Sequence, residues 1–156
     1  KRVVKWYKLA AGNGNELAQL KLGTLFEKGK GVAKNHKKAA KWYKLAAGQG
    51  NEIAQFNLGY MYSRGIGVKR NYSEAVKWYR LSAEQRIPGA QSNLGLMYEK
   101  GLGVEQDYVE AHKWFNIAGV NGNEVGKKNT DIIEKKMTPG QIAIAIGLAR
   151  KWLEEI

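Results

Sequence analysis

Cysteine is absent from this 156-residue chain, which excludes disulfides, thiolate metal sites and cysteine nucleophiles. No run of about 18 apolar residues occurs, so no transmembrane helix is predicted. Histidine is scarce. His36 and His112 stand far apart in no metal-ligand spacing such as H-E-x-x-H, so both read as surface residues and not as a base or a metal ligand. No G-K-[ST] phosphate loop is present. Carboxylates are in short supply, 14 against 26 lysines and arginines for a net charge of +12. That balance favours an acidic partner, whether nucleic acid, anionic membrane or acidic protein, without choosing among them. The chain opens on Lys1 with no apolar signal segment, so any targeting peptide is expected to lie outside it.

What is present is a repeat. Trp6, Trp42, Trp78 and Trp114 recur every 36 residues, each inside a K-W-[YF] tripeptide. Ala18, Ala54 and Ala90 share that period, as do Leu22-Gly23, Leu58-Gly59 and Leu94-Gly95. The G-x-G elements at Gly29/Gly31, Gly65/Gly67 and Gly101/Gly103 follow it too. Recurring three times between helical segments, they read as turns and not as a dinucleotide fingerprint.

Each unit reads as two helices. In the middle unit, residues 51–64 place Ala54, Leu58, Met61 and Tyr62 on one helical face, which defines helix A. Glycines in G-I-G-V-K-R-N stop it. Asn71 with Glu74 three residues later resembles a capping box and opens helix B over residues 72–84, with Ala75, Trp78, Tyr79 and Ser82 at helical spacing. Asp107 with Glu110 repeats the signal, and Asn35 with Lys38 keeps half of it. The glycine after each helix A leucine allows close backbone approach beside the helix B aromatics, so a bulky residue at Gly23, Gly59 or Gly95 is expected to pry a unit apart.

Both ends depart from the pattern. Residues 1–14 match a lone helix B, leaving Val4, Trp6 and Tyr7 partly uncovered, and the expectation is a piece of a longer repeat protein. Full units follow at 15–50, 51–86 and 87–122. Residues 123–137 form a degenerate unit in which Gly126, Thr130 and Asp131 replace the Ala, Leu and Gly positions. Thr138-Pro139-Gly140-Gln141 then starts a capping helix over 138–156, with Ile142, Ile146, Ala149 and Leu153 predicted to cover the open end.

The string A-x-x-x-L-G-x-x-[YF]-x-x-G-x-G-V followed by [ND]-x-x-x-A-x-K-W-[YF]-x-x-[AS]-A resembles the Sel1-like repeat (SLR), a relative of the tetratricopeptide repeat. The likeness covers roughly residues 1–125, and M-T-P-G-Q-I-A resembles an ending common in bacterial members. The resemblance implies an all-α, right-handed alpha-alpha superhelix that mediates protein–protein interaction, often as a periplasmic, secreted or virulence-associated bacterial adaptor. It implies neither catalysis, nor a cofactor, nor a metal.

If helix A lines the concave surface, helical phase assigns the partner-binding groove to Leu20, Thr24 and Glu27, then Phe56, Tyr60, Ser63 and Arg64, then Ser92, Leu96 and Glu99. Apolar residues there are candidate anchors for a peptide or partner helix. Leu17 and Ile53 read instead as packing residues. On helix B, Lys5, Lys41, Lys77 and Lys113 form one basic row, and Lys8, Lys44 and Arg80 a second. They read either as a solvated face or as a polyanion contact surface. Nucleic acid is the alternative partner. Against it, the helix B aromatics fall at the core phase, where bases cannot stack on them, and phosphate contact alone would be salt-sensitive. Membrane insertion lacks an exposed apolar helix B face.

Overall fold

The computed structural model describes residues 2–155, and the described residues are all-α, with no strand among them. The helices are α1 (Arg2–Gly12), α2 (Glu16–Lys28), α3 (His36–Gly48), α4 (Glu52–Arg64), α5 (Tyr72–Glu84), α6 (Pro88–Lys100), α7 (Tyr108–Val120), α8 (Glu124–Glu134) and α9 (Pro139–Glu154). Helix A of each unit is therefore α2, α4 or α6, and helix B is α3, α5 or α7, with α1 a first helix B. The chain divides into two compact units, residues 1–81 and 82–156.

The helix starts follow the capping chemistry. Asn15 and Asn51 accept the backbone N–H of Ala18 and Ala54 at 2.8 Å. Asn35, Asn71 and Asp107 do the same for Lys38, Glu74 and Glu110 at 2.9, 3.1 and 3.1 Å. Asn35 thus caps as well without an acidic residue at the third position as the others do with one. Gly29, Gly65 and Gly101 end helix A in the left-handed conformation, each cap N–H returning to the carbonyl four residues back.

In the first unit α1 packs on α2, α2 on α3 and α3 on α4. The core holds Leu22, Phe26, Ala39, Tyr43, Leu58 and Met61. The close approach predicted at the glycines is there: a Cβ on Gly23 would stand 2.7 Å from the Tyr43 ring, and one on Gly59 2.8 Å from the Tyr79 ring. A device that the sequence reading missed joins each helix B to the next helix A. Gln19, Gln55 and Gln91 are buried, and their side-chain amides donate to the carbonyls of Ala11, Ala47 and Ala83 at 3.1, 3.2 and 3.0 Å. The spacing is again 36 residues. Each amide satisfies an orphan carbonyl at a helix end.

In the second unit α7 packs on α6, α8 and α9. Gly95 repeats the aromatic contact, 2.6 Å from Phe115 for a built Cβ. Gly126 does more than lose an alanine. Buried against α7, its Cβ position lies 2.7 Å from the Phe115 carbonyl oxygen and 2.9 Å from the Gly119 nitrogen, so α8 sits backbone to backbone on α7. The capping box at α9 forms both bonds, Gln141 N–H to Thr138 Oγ1 at 3.1 Å and Thr138 N–H to Gln141 Oε1 at 2.9 Å. Its buried face matches the predicted one in part: Ala149 is buried and Ile142 and Leu153 are half-buried, but Ala145 takes the place expected of Ile146. Ala145 and Ala149 are buried while Ile146 is 37 % exposed, and Trp152 meets Trp114 edge-on at 5.5 Å. Two small residues let α9 approach closely, and the tryptophan sets its rotation.

Candidate functional site

Helix A carries the predicted contact residues on the side opposite its buried alanine and leucine. In the first unit Leu20, Thr24 and Glu27 on α2 are half-buried, as are Phe56 and Ser63 on α4, while Tyr60 and Arg64 are exposed. The polar members serve the fold as well. The Tyr43 hydroxyl donates to Glu27 Oε1 and lies 3.3 Å from Thr24 Oγ1, and the Ser63 hydroxyl lies 3.3 Å from the Tyr79 hydroxyl. Burial, aided by the bond to Glu27, pushes the Tyr43 hydroxyl well above its ordinary pKa. Phe56 is tied to the same layer, its ring 6.1 Å from that of Tyr79.

Tyr60 stands apart from these. It is 42 % exposed, with the Arg64 guanidinium 5.4 Å from its ring centre. In the second unit Leu96 and Glu99 are half-buried on α6, and Glu99 approaches Lys136 at 3.5 Å. Ser92 is a correction. At 3 % exposed, and donating to the Gly89 carbonyl at 3.3 Å, it presents nothing to a partner. Leu17 and Ile53, read as packing residues, are 64 % and 41 % exposed, because they sit in the first turn of helix A, outside the face it buries.

The basic rows are uneven. Lys5, Lys8, Lys41, Lys44 and Lys77 are exposed and Arg80 is half-buried. Lys113 is drawn into an ion pair with Glu110 at 3.1 Å, above the Trp114 ring. α1 and α3 carry no carboxylate, whereas α5 has Glu74 and Glu84, and α7 has Glu110. The row is thus concentrated in the first unit. The expected burial of the helix B tryptophans also holds unevenly: Trp114 is 1 % and Trp78 6 % exposed, Trp42 is half-buried, and Trp6 is 76 % exposed.

Two open depressions mark the first unit. One of about 640 Å³ lies between α1 and α2 beside Val3, Trp6, Tyr7 and Leu17. The other, of about 600 Å³, lies over α3 and the end of α4, where Leu45, Leu58, Tyr62 and Val68 form an apolar floor beside Lys37, Lys38, Lys41 and Lys44. The sequence reading singled out Lys41 and Lys44 but missed the floor. The signal was present in α3, where four lysines and no acidic residue share a helix with Leu45.

The described residues contain no group of three or more His, Asp or Glu able to hold a metal ion. His112 corrects the surface reading: it is 1 % exposed, with Nε2 2.8 Å from Glu134 Oε2 across α7 and α8. His36 is half-buried. No described helix is long and apolar enough to cross a membrane.

Residues 4–15, 17–51, 53–86 and 88–123 match the Sel1 repeat. Among solved structures, the chain is similar to c5321, a protective antigen present in uropathogenic Escherichia coli strains and displaying an SLR fold. It is 36 % identical with a TM-score of 0.76, over 97 % of this chain and 40 % of that one. It is also similar to a Sel1 repeat protein from Oxalobacter formigenes, 37 % identical with a TM-score of 0.79, over 81 % of this chain and 52 % of that one. This chain therefore spans about half the length of these neighbours or less. No curated protein matches it.

Proposed function

Because the chain belongs to the Sel1 repeat family, whose members are in general scaffolds for protein–protein interaction and not typically enzymes, we propose that it is an adaptor that binds a peptide or partner protein along the outward side of α2 and α4. Leu96 and Glu99 would offer the equivalent side of α6 in the second unit. The observation that carries this reading is Tyr60. It is a 42 % exposed aromatic, already stacked by Arg64, on a helix whose opposite side is buried by Ala54 and Leu58. Tyrosine and arginine are the residue types that anchor interfaces, and a pair held in place before binding loses less entropy when the partner arrives. The likeness to the E. coli antigen with the SLR fold supports a bacterial, virulence-associated setting.

The test is affinity capture from bacterial and host lysates, with the chain as bait beside its Tyr60→Ala/Arg64→Ala variant and with nuclease treatment in parallel. Phe56 is left intact, since its contact with Tyr79 would mix binding with stability. A protein retained by the wild type, lost with the variant at unchanged melting temperature and indifferent to nuclease is the expected result. Retention abolished by nuclease would replace this reading with polyanion binding on the basic rows.

A further inference from the structure

Independently of the α2/α4 face, we infer that the depression over α3 is a second binding site, for an acidic peptide segment that carries apolar side chains between its carboxylates. Three observations converge there. The first is a floor able to take apolar groups: Leu45 is 45 % exposed, and with Tyr62 and Val68 it lines an open volume of about 600 Å³, within the range of sites that hold several side chains or a small ligand. The second is the rim. Lys37, Lys38, Lys41 and Lys44 are exposed and form no ion pair with another described residue; Lys38 and Lys41 reach only the Phe26 and Trp42 rings, at 5.5 and 5.6 Å, and α3 holds no carboxylate to offset them. Like charges gathered on one helix without counter-ions repel one another, so an anionic occupant relieves a cost that the fold carries.

The third observation is that the arrangement is not a general consequence of the repeat. At the position of Lys38 stand Glu74 on α5 and Glu110 on α7, and Asn116 takes the place of Lys44 on α7. There Lys113 is consumed by Glu110 at 3.1 Å. A merely solvated face would have no reason to collect cations without carboxylate partners around a hollow with an apolar floor.

The chemistry also selects among anions. Every cation on the rim is a lysine, a compact point charge without the guanidinium fork that suits bidentate phosphate recognition. The floor offers aliphatic groups and one half-buried tyrosine, not the row of flat rings on which single-stranded nucleic acid stacks. A recess rather than a protruding apolar ridge also leaves nothing to enter a bilayer.

Fluorescence anisotropy of a labelled peptide of about twelve residues, in which glutamates flank leucines, tests the assignment. Its controls are the Glu→Gln and Leu→Ser versions of the same peptide, an oligothymidylate, and anionic phosphatidylserine vesicles. The parent peptide should bind the intact chain, and each altered peptide should bind about tenfold more weakly or worse. Lys41→Glu/Lys44→Glu and, separately, Leu45→Ser should each weaken the parent peptide similarly while helicity by circular dichroism is retained. Tyr60→Ala/Arg64→Ala should leave it unchanged, which separates this site from the α2/α4 face. Equal binding of the Leu→Ser peptide would reduce the effect to net charge and overturn the site, as would indifference to Lys41/Lys44 or to Leu45. Tighter retention of the oligothymidylate or the vesicles, or no binding of the parent peptide, would also overturn it.

Discussion

Trp6 and Trp114 are the same residue of the repeat in different surroundings: Trp6 is 76 % exposed on α1 and Trp114 is 1 % exposed on α7. The helix that carries them does not cause the difference, since both follow a lysine and precede an aromatic. What differs is the cover. In the second unit Trp152 of α9 meets Trp114 edge-on at 5.5 Å, and the Arg86 guanidinium lies 4.9 Å from the Trp152 ring centre on its own account. A repeat motif therefore supplies a residue able to be core, and the neighbouring element decides whether it becomes core. The largest expected effect follows. Trp114→Ala should cost about 3 kcal/mol, the low end for a large-to-small core change, because its indole N–H is buried with no hydrogen-bond partner among the described residues and that penalty is relieved on truncation. Trp6→Ala should stay within about 0.5 kcal/mol. Denaturant unfolding of the two variants measures the contrast, and equal losses would erase it.

A second pairing sets Gly126 against Ala54. The buried alanine of helix A, Ala54, tolerates its methyl, whereas at Gly126 the same methyl would lie 2.7 Å from one backbone atom of α7 and 2.9 Å from another. Backbone cannot swing aside as a side-chain tip can. Gly126→Ala should therefore destabilise by about 1–3 kcal/mol through overpacking. Ala54→Gly should cost about 1 kcal/mol from helix propensity alone. A neutral or stabilising Gly126→Ala would mean that α8 can slide outward, and that its place in the repeat is no tighter than that of the other helices A.

These contrasts also show where the sequence was readable. The 36-residue period, the helix pairs, the asparagine and aspartate caps and the glycine seats beside Tyr43, Tyr79 and Phe115 all depend on local spacing, and all were legible. The burial of His112 was legible too but was missed. Its repeat equivalents Val4, Ala40 and Val76 are buried, so position outweighed residue type. Gln19, Gln55 and Gln91 lay on the period in the same way, hidden by the habit of reading a glutamine as surface. The rotation of α9 was read only in part: Ala149 lies on the predicted face, but alanines and isoleucines alternate along the helix and Ala145 is buried where Ile146 was expected. Of the contact residues, Ser92 was lost for a related reason: helical phase gives a direction, whereas exposure depends on which neighbour stands in that direction. The lysine-rimmed hollow needed α3, α4 and the segment around Val68 together, which no one-helix reading assembles.

The smallest expected effect compares Tyr43 with Phe115, its equivalent two repeats on. Both rings fill the seat above a helix A glycine, but only Tyr43 carries a hydroxyl, which donates to Glu27. Phe115 shows that the ring alone can fill the seat, so Tyr43→Phe should cost only about 1 kcal/mol, the usual net worth of one hydrogen bond. The two side chains part in alkaline solution. Burial first, and then the bond to Glu27, raise the Tyr43 pKa above its ordinary value of 10, so folding favours the protonated phenol. The stability from this preference is complete below pH 10, and it is lost as the pH climbs from there through the higher folded value, because the unfolded chain releases the proton first. The melting temperature of the wild type should therefore fall more steeply above pH 10 than that of Tyr43→Phe, narrowing the gap between them. Parallel curves would show that the hydroxyl reaches solvent, and that the Tyr43 seat is looser than the Phe115 seat it was compared with.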